Sequence, residues 1–122
     1  MAKTILIIDD EVDILKTLAY RFRKRGYTVA TAENGLSALE SLKDLTPDLI
    51  LLDYRMPDLD GVEVCRRIRK FDHLKKVPII FFTASPFEFQ REDLAHMQAQ
   101  DSINKLADFS RLLDLVRRYT ES

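Results

Sequence analysis

Five residues far apart in the chain have the types and settings to do chemistry together: Asp9, Asp10, Asp53, Thr83 and Lys105. Each stands at or just beyond the carboxyl end of a short apolar run. Three carboxylates brought together repel. A like-charged pair ~4 Å apart costs about 4 kcal/mol at an effective dielectric near 20. One of them must take up a proton or a cation must sit among them. Ligands that are all oxygen and highly charged favour a hard ion, and Mg2+ suits one or two carboxylates with water, a carbonyl or phosphate completing its shell. A hydroxyl (Thr83) and an ammonium (Lys105) beside a metal-bound carboxylate would make a phosphoryl-sized pocket, with Asp53 placed to act as the nucleophile.

The elements that must position these residues follow from the hydrophobic pattern. Asp48-Leu49-Ile50-Leu51-Leu52-Asp53 holds four consecutive aliphatic residues between Pro47 and the turn-rich Met56-Pro57-Asp58-Leu59-Asp60-Gly61. An unalternating run this short reads as a strand buried on both faces of a parallel sheet. Thr4–Ile8, Tyr27–Ala32, Val77–Phe82 and Asp101–Asn104 read as four further strands. Between them lie helical patterns. The first carries Val12, Leu15, Leu18, Ala19 and Phe22 inward, with Arg21, Arg23, Lys24 and Arg25 in its last turns and Gly26 as its stop. The second opens at Asn34-Gly35 with Leu36, Leu39 and Leu42 expected inward. The third follows an Asp60 cap and carries Val64, Cys65, Ile68 and Phe71, with Arg66, Arg67, Arg69 and Lys70 on a solvated basic face. Ser85-Pro86-Phe87-Glu88 combines a capping box with a first-turn proline, so a fourth helix is expected from near Pro86. Its apolar stripe (Phe87, Leu94, Met97) is thin. Phe87 and Phe89 cannot share one helical face, so one is expected exposed or over the site. Phe109, Leu112, Leu113 and Val116 mark a closing helix.

Strand and helix thus alternate five times. Short connections and right-handed crossovers make this an α/β fold, a doubly wound (βα)5 parallel sheet. The flavodoxin-like order 2-1-3-4-5 would set the ends of strands 1 and 3 side by side, and with them Asp9, Asp10 and Asp53.

With 122 residues, 19 Lys and Arg, and 20 Asp and Glu, the chain is expected to be one domain over residues 1–122 with no output domain. No global charge favours nucleic acid or an anionic membrane. No apolar run reaches ~18 residues and no signal peptide opens the chain, which suggests a soluble, cytoplasmic protein. The single Cys65 excludes an internal disulfide and is read as core; His73 and His96 are read as surface residues.

With these residues placed, the sequence closely resembles the receiver domain of two-component response regulators from about Lys3 to Tyr119. The likeness rests on Ile7-Ile8-Asp9-Asp10-Glu11, on Asp53 followed by Met56-Pro57-Asp58 and Gly61, on Pro78-Ile79-Ile80 with Thr83-Ala84, and on Lys105. It implies that Asp53 accepts a phosphoryl group from a sensor histidine kinase or a histidine phosphotransfer protein. It implies Mg2+ held by Asp10, Asp53 and the backbone carbonyl of Arg55, with Asp9 assisting, and phosphoryl oxygens held by Thr83 and Lys105. Signalling would pass to a downstream protein at the helix 4–strand 5–helix 5 face, followed by autodephosphorylation, with Arg55 and Ser85 tuning phosphate lifetime. Such a protein is a phosphoacceptor more than a turnover enzyme. Two positions depart from the family: Ser102 stands where members usually carry Tyr or Phe, and Leu106 where they carry proline. A trans bond before Leu106 is expected, because the cis form there would cost ~3 kcal/mol.

These departures support an alternative, a phosphate-independent pseudo-receiver that works only as an interaction module. A haloacid-dehalogenase-type phosphatase wants an aspartate two residues beyond the nucleophile, where Arg55 stands. A flavodoxin-type flavin site wants a hydroxyl- and glycine-rich loop after strand 1, where Asp9-Asp10-Glu11 would repel a bare phosphate. Because Ser102 is too small to act as a swinging ring, Ser102→Ala should leave phosphate-dependent partner binding nearly intact in a pull-down with and without phosphodonor. Loss of that dependence would show that the hydroxyl itself carries the signal.

Overall fold

The computed structural model describes residues 2–84 and 91–121. Five strands, β1 (Thr4–Ile8), β2 (Thr28–Ala32), β3 (Leu49–Asp53), β4 (Ile79–Thr83) and β5 (Asp101–Asn104), form one sheet. All pairings are parallel and the order is β2-β1-β3-β4-β5. Helices α1 (Val12–Lys24), α2 (Gly35–Ser41), α3 (Gly61–Ile68), α4 (Arg91–Met97) and α5 (Phe109–Thr120) cover its two faces. This is the expected α/β architecture and strand order. The capping sequence at Ser85 and Pro86, and Phe87 and Phe89 with it, lie outside the described residues.

The core divides by face, because successive side chains of a strand point to opposite sides. Leu6, Ile8, Ile50, Leu52, Ile79 and Phe81 pack beneath α2 and α3. Ile5, Ile7, Leu49, Leu51, Ile80 and Phe82 pack beneath α1 and α5. Every residue of β3 and β4 is buried, as unalternating strands require, and each large aliphatic side chain so buried contributes roughly 1.5–3 kcal/mol. β5, at the sheet edge, is half-buried throughout.

Three sequence expectations are corrected. Val12, expected inward on α1, is 38 % exposed, because the buried stripe of that helix begins at Leu15 and runs through Leu18, Ala19 and Phe22. Leu36 does not face inward: it is 57 % exposed. The buried positions of α2 are Gly35 and Ala38, joined by Leu42, a proper i, i+3, i+7 stripe. Small residues suffice there because α2 lies against α3: a Cβ on Gly35 would stand 2.7 Å from Val64 Cγ2. Nor does Arg69 belong to a solvated face. It is 5 % exposed, and its guanidinium donates to Leu74 O (2.7 Å), Gln98 O (2.9 Å) and Gln100 Oε1 (3.0 Å). Burial pulls its pKa below the ordinary value, opposed by the Cys65 thiol beside it.

Arg69 thereby fastens the α4–β5 connection to α3. The connection needs fastening, since Gln98 takes a left-handed conformation at φ 60 to close α4, with Ala99 N donating to Leu94 O. Cys65 Sγ, donating to Met97 O at 3.1 Å, makes a second tie. Burial pushes that thiol up to about 11, so it stays protonated, core as expected. His73 is exposed, as expected, although its Nε2 lies 2.8 Å from Leu42 O. Arg69→Leu should destabilise the protein by about 2–4 kcal/mol in urea unfolding, because several carbonyls lose their donor in a buried place. Arg66→Leu, on the exposed side of the same helix, should change stability by no more than about 0.5 kcal/mol.

Candidate functional site

The sheet order decides the site. Ile8 pairs with Leu52 across β1 and β3, so the next residues along, Asp9 and Asp53, emerge side by side. β4 lies on the other side of β3, with Asp53 opposite Phe82 and Thr83 one residue beyond. Lys105 N donates to Thr83 O at 2.8 Å, which brings Lys105 to the same rim. Asp9, Asp10 and Asp53 converge as expected, with one carboxylate oxygen from each lying within 4.8 Å of the others. Asp10, Asp53, Arg55, Thr83 and Lys105 line one cleft of about 210 Å3, together with Glu11 and Ala84.

Local bonding fixes each group. Asp9 N donates to Ala32 O (3.1 Å), extending the β1–β2 ladder by one residue. Asp9 Oδ1 accepts from Glu11 N (2.9 Å), which sets the turn into α1. Arg55 N approaches Asp53 Oδ1 at 3.4 Å. After β3 the chain doubles back: Gly61 N donates to Tyr54 O at 2.7 Å, and a Cβ on Gly61 would meet Asp53 O at 2.5 Å. Any side chain there would push the Asp53 backbone out of place. Asp58, in the same loop, receives Gly35 N and Leu36 N and so ties the site loop to the start of α2. Those amide donors hold its carboxyl below the usual range against the opposing pull of burial.

Lys105 Nζ stands 3.0 Å from Asp9 Oδ2, 3.3 Å from Asp53 Oδ1 and 3.4 Å from Glu11 Oε1. Its place does not need a proline after it. The described residues contain no cis peptide bond, in line with the trans bond expected at Leu106. The turn is held instead by Asn104, whose Oδ1 accepts from Leu106 N (2.8 Å) and whose carbonyl accepts from Ala107 N (3.0 Å). Sequence reasoning missed Glu11 as a partner of Lys105. Its position next to the aspartate pair is visible, but nothing in the sequence shows that the N-cap residue of α1 meets the end of β5.

One ammonium cannot neutralise three carboxylates. Burial pushes the Asp53 carboxyl up to about 7, and the Asp9 charge pushes the same way against Lys105. Asp9 is raised as well, by burial first, against the Glu11 amide and Lys105. Burial disfavours the charged form of Lys105, yet Asp9 and Asp53 outweigh it and hold its pKa above the ordinary value. Asp9 Oδ2 is fully buried and takes no hydrogen bond among the described residues, only the ion pair with Lys105. A buried oxygen with lone pairs to spare, beside two further carboxylates, fits a hard divalent cation.

Comparison with known proteins agrees with this arrangement. The family model for the response regulator receiver domain matches residues 5–117, and the chain belongs to that family. It is 39% identical over 105 residues to the alkaline phosphatase synthesis transcriptional regulatory protein PhoP of Bacillus subtilis, covering 86% of this chain and 43% of PhoP. The chain thus spans less than half the length of that curated relative. Among solved structures, the response regulator TrrA of Thermotoga maritima, in complex with Mg2+-BeF, is 36% identical with a TM-score of 0.84 over 96% of this chain and 98% of its own. The receiver domain of sensor histidine kinase PA1611 from Pseudomonas aeruginosa, with magnesium coordinated in its active-site cleft, is 29% identical with a TM-score of 0.89 over the whole of both chains.

The raised Asp53 pKa fixes a sign. A group titrating near 3.8 when unfolded and about 7 when folded adds stability below about pH 4 and loses it as pH rises through 7. Without metal, wild type should therefore lose about 2–3 kcal/mol relative to Asp53→Asn between about pH 5 and pH 8, measured by urea unfolding of both. Parallel pH profiles for the two proteins would contradict it.

Proposed function

We propose that this domain is a phosphoacceptor switch, a single receiver unit over residues 1–122 that takes a phosphoryl group on Asp53 from a phosphohistidine. The donor is a sensor histidine kinase or a histidine phosphotransfer protein. The observation that carries this reading is the meeting of a buried carboxylate, two further carboxylates and an ammonium 3.3 Å from the acceptor. The supporting likenesses are PhoP, TrrA and the PA1611 receiver domain.

In the forward step an Asp53 carboxylate oxygen attacks phosphorus. The P–N bond breaks, its electron pair returns to the imidazole, and the ring takes up a proton. Lys105 supplies a positive charge to a phosphoryl oxygen and Thr83 a hydroxyl donor. The burial that raises the acceptor's pKa also keeps bulk water from its carboxylate. Asp10, Asp53 and the carbonyl of Arg55 would hold Mg2+, with Asp9 orienting the set, and the ion would supply charge to the transferring phosphoryl oxygens. In a separate second step water attacks the phosphorus of the acyl phosphate, the P–O bond to Asp53 breaks, and inorganic phosphate leaves with the carboxylate restored.

The signal leaves through protein contact at the α4–β5–α5 face, with no direct contact to nucleic acid or membrane. A cleft of about 420 Å3 lies there, lined by Leu94, Gln100, Asp101, Arg118 and Tyr119 among others. Tyr119 Oη donates to Asp101 Oδ2 at 3.1 Å, so an aromatic residue of α5 reaches the strand on which Ser102 stands. No described helix is long and apolar enough to cross a membrane.

Incubation with Mg2+ and acetyl phosphate followed by intact-mass measurement tests the chemistry. One phosphoryl group should be gained by wild type. None should be gained by Asp53→Asn or after chelation with EDTA, and Lys105→Ala should slow the gain by about 10²-fold or more. No gain in wild type, with partner binding kept, would favour the phosphate-independent module instead.

A further inference from the structure

A second concave surface lies between α2 and α3 and shares no residue with the acidic cleft. Leu36, Leu39 and Phe71 form its floor; Lys43, Arg67 and Lys70 stand at its rim with Glu40. It encloses about 340 Å3. Leu36 is among the most exposed large apolar side chains described, while Leu39 and Phe71 are half-buried. An apolar floor left open to water and bounded by charge is the pattern of an interaction site.

The rim charge is unbalanced. Lys43 pairs with Glu40 at 2.8 Å and Arg67 with Glu63 at 2.8 Å. Lys70 makes no ion pair among the described residues, and Arg66 extends the cationic surface along α3. The walls are helices, whose backbone groups bond within themselves. An extended peptide would find no free N–H or C=O to pair with, whereas a helix arrives with its own backbone satisfied and an apolar stripe to bury. A second copy of this chain fits poorly, because a two-fold contact would set the same cations against each other.

We infer that this groove docks an acidic amphipathic helix of a partner protein. Leucine-like side chains at i, i+3 or i+4, and i+7 cover Leu36, Leu39 and Phe71, and flanking Asp or Glu residues meet Lys43, Arg67 and Lys70. The groove and the acidic cleft have no lining residue in common, so the docking does not draw on the Asp53 carboxylate itself.

A displayed library of helical peptides, selected on the full chain and counter-selected on Leu36→Glu/Lys70→Glu, tests this. Enriched peptides should be acidic with leucine at helical spacing. They should bind the double variant at least tenfold more weakly and Asp53→Asn as tightly as wild type. Their amide shift changes in NMR should centre on Leu36, Leu39, Lys70 and Phe71. Should the double variant unfold at lower urea than wild type, Leu36→Ser with Lys70→Ala serves in its place. Enrichment of basic or aperiodic peptides, binding to the Leu36 and Lys70 variants as tight as to wild type, no enrichment at all, or a dimer that Leu36→Glu dissolves would overturn the proposal. Failure here leaves phosphorylation of Asp53 untouched, since that is read by mass on a different surface.

Discussion

The structure turns on a repulsion that it relieves only in part. Asp9, Asp10 and Asp53 are held within reach of one another although each pair of like charges at such range costs kilocalories. What holds them is the apolar sheet beneath. Ile5 to Ile8, Leu49 to Leu52 and Ile79 to Phe81 are at most 1 % exposed, and the strands they form cannot slide by one residue without exchanging the side chains fitted beneath α2 and α3 for those fitted beneath α1 and α5. Register is therefore fixed by burial, and the carboxylates at the strand ends must accept the positions that register assigns. The free energy of the core is what keeps the charge cluster together.

That repulsion gives the site its affinity for positive charge. Lys105 answers part of it from inside the fold and is drawn to three carboxylates at once. Glu11 is the most exposed of the three and the only one outside the buried cluster. It holds the ammonium from the solvent side, while Asp9 and Asp53 hold it from within. A cation entering the cleft would change which of these contacts is worth keeping. The buried Asp9 Oδ2, which among the described residues has only the Lys105 ion pair, is the place where the fold leaves that change open.

The sheet and the acidic site were legible in the sequence because strand ends carry them. Four aliphatics between Asp48 and Asp53 are a pattern few other structures accept, and once the strands are parallel and short-looped, few orders remain. Helix faces were harder to read. Leu36, Leu39 and Leu42 were expected inward because they are large, yet steps of three residues at 100° each spread them over 120° of the helix. The true inward stripe of α2 uses Gly35 and Ala38, which size-based reading passes over. Arg69 was misread for the opposite reason. It lies four residues after Cys65 and one after Ile68, on the inner side of α3, but its charge suggested water. Only the oxygens that converge on it from the α4–β5 connection (Gln98 O and Gln100 Oε1) and from Leu74, in the turn after α3, make that burial tolerable, and the first two are far from it in the chain.

The two departures from the family pattern act on different parts of the molecule. Leu106 follows Lys105, so its effect would fall on the chemistry, yet the Asn104 side chain bonds the Leu106 amide and keeps the turn in place. The residue that compensates is adjacent in sequence and works through one side-chain hydrogen bond. Ser102 lies on β5 opposite Phe81, away from the cleft, and no neighbour in the strand replaces the bulk of a ring. Strand-end groups are positioned by the sheet and by their own turns; the outer face of β5 is positioned by α4 and α5. A change on that face can therefore alter what the domain contacts without disturbing what happens at Asp53. Arg69 adds to this separation, because it fastens the α4–β5 turn to α3 and lets the outer face vary while the strand register, and with it Lys105, stays where the core has set it.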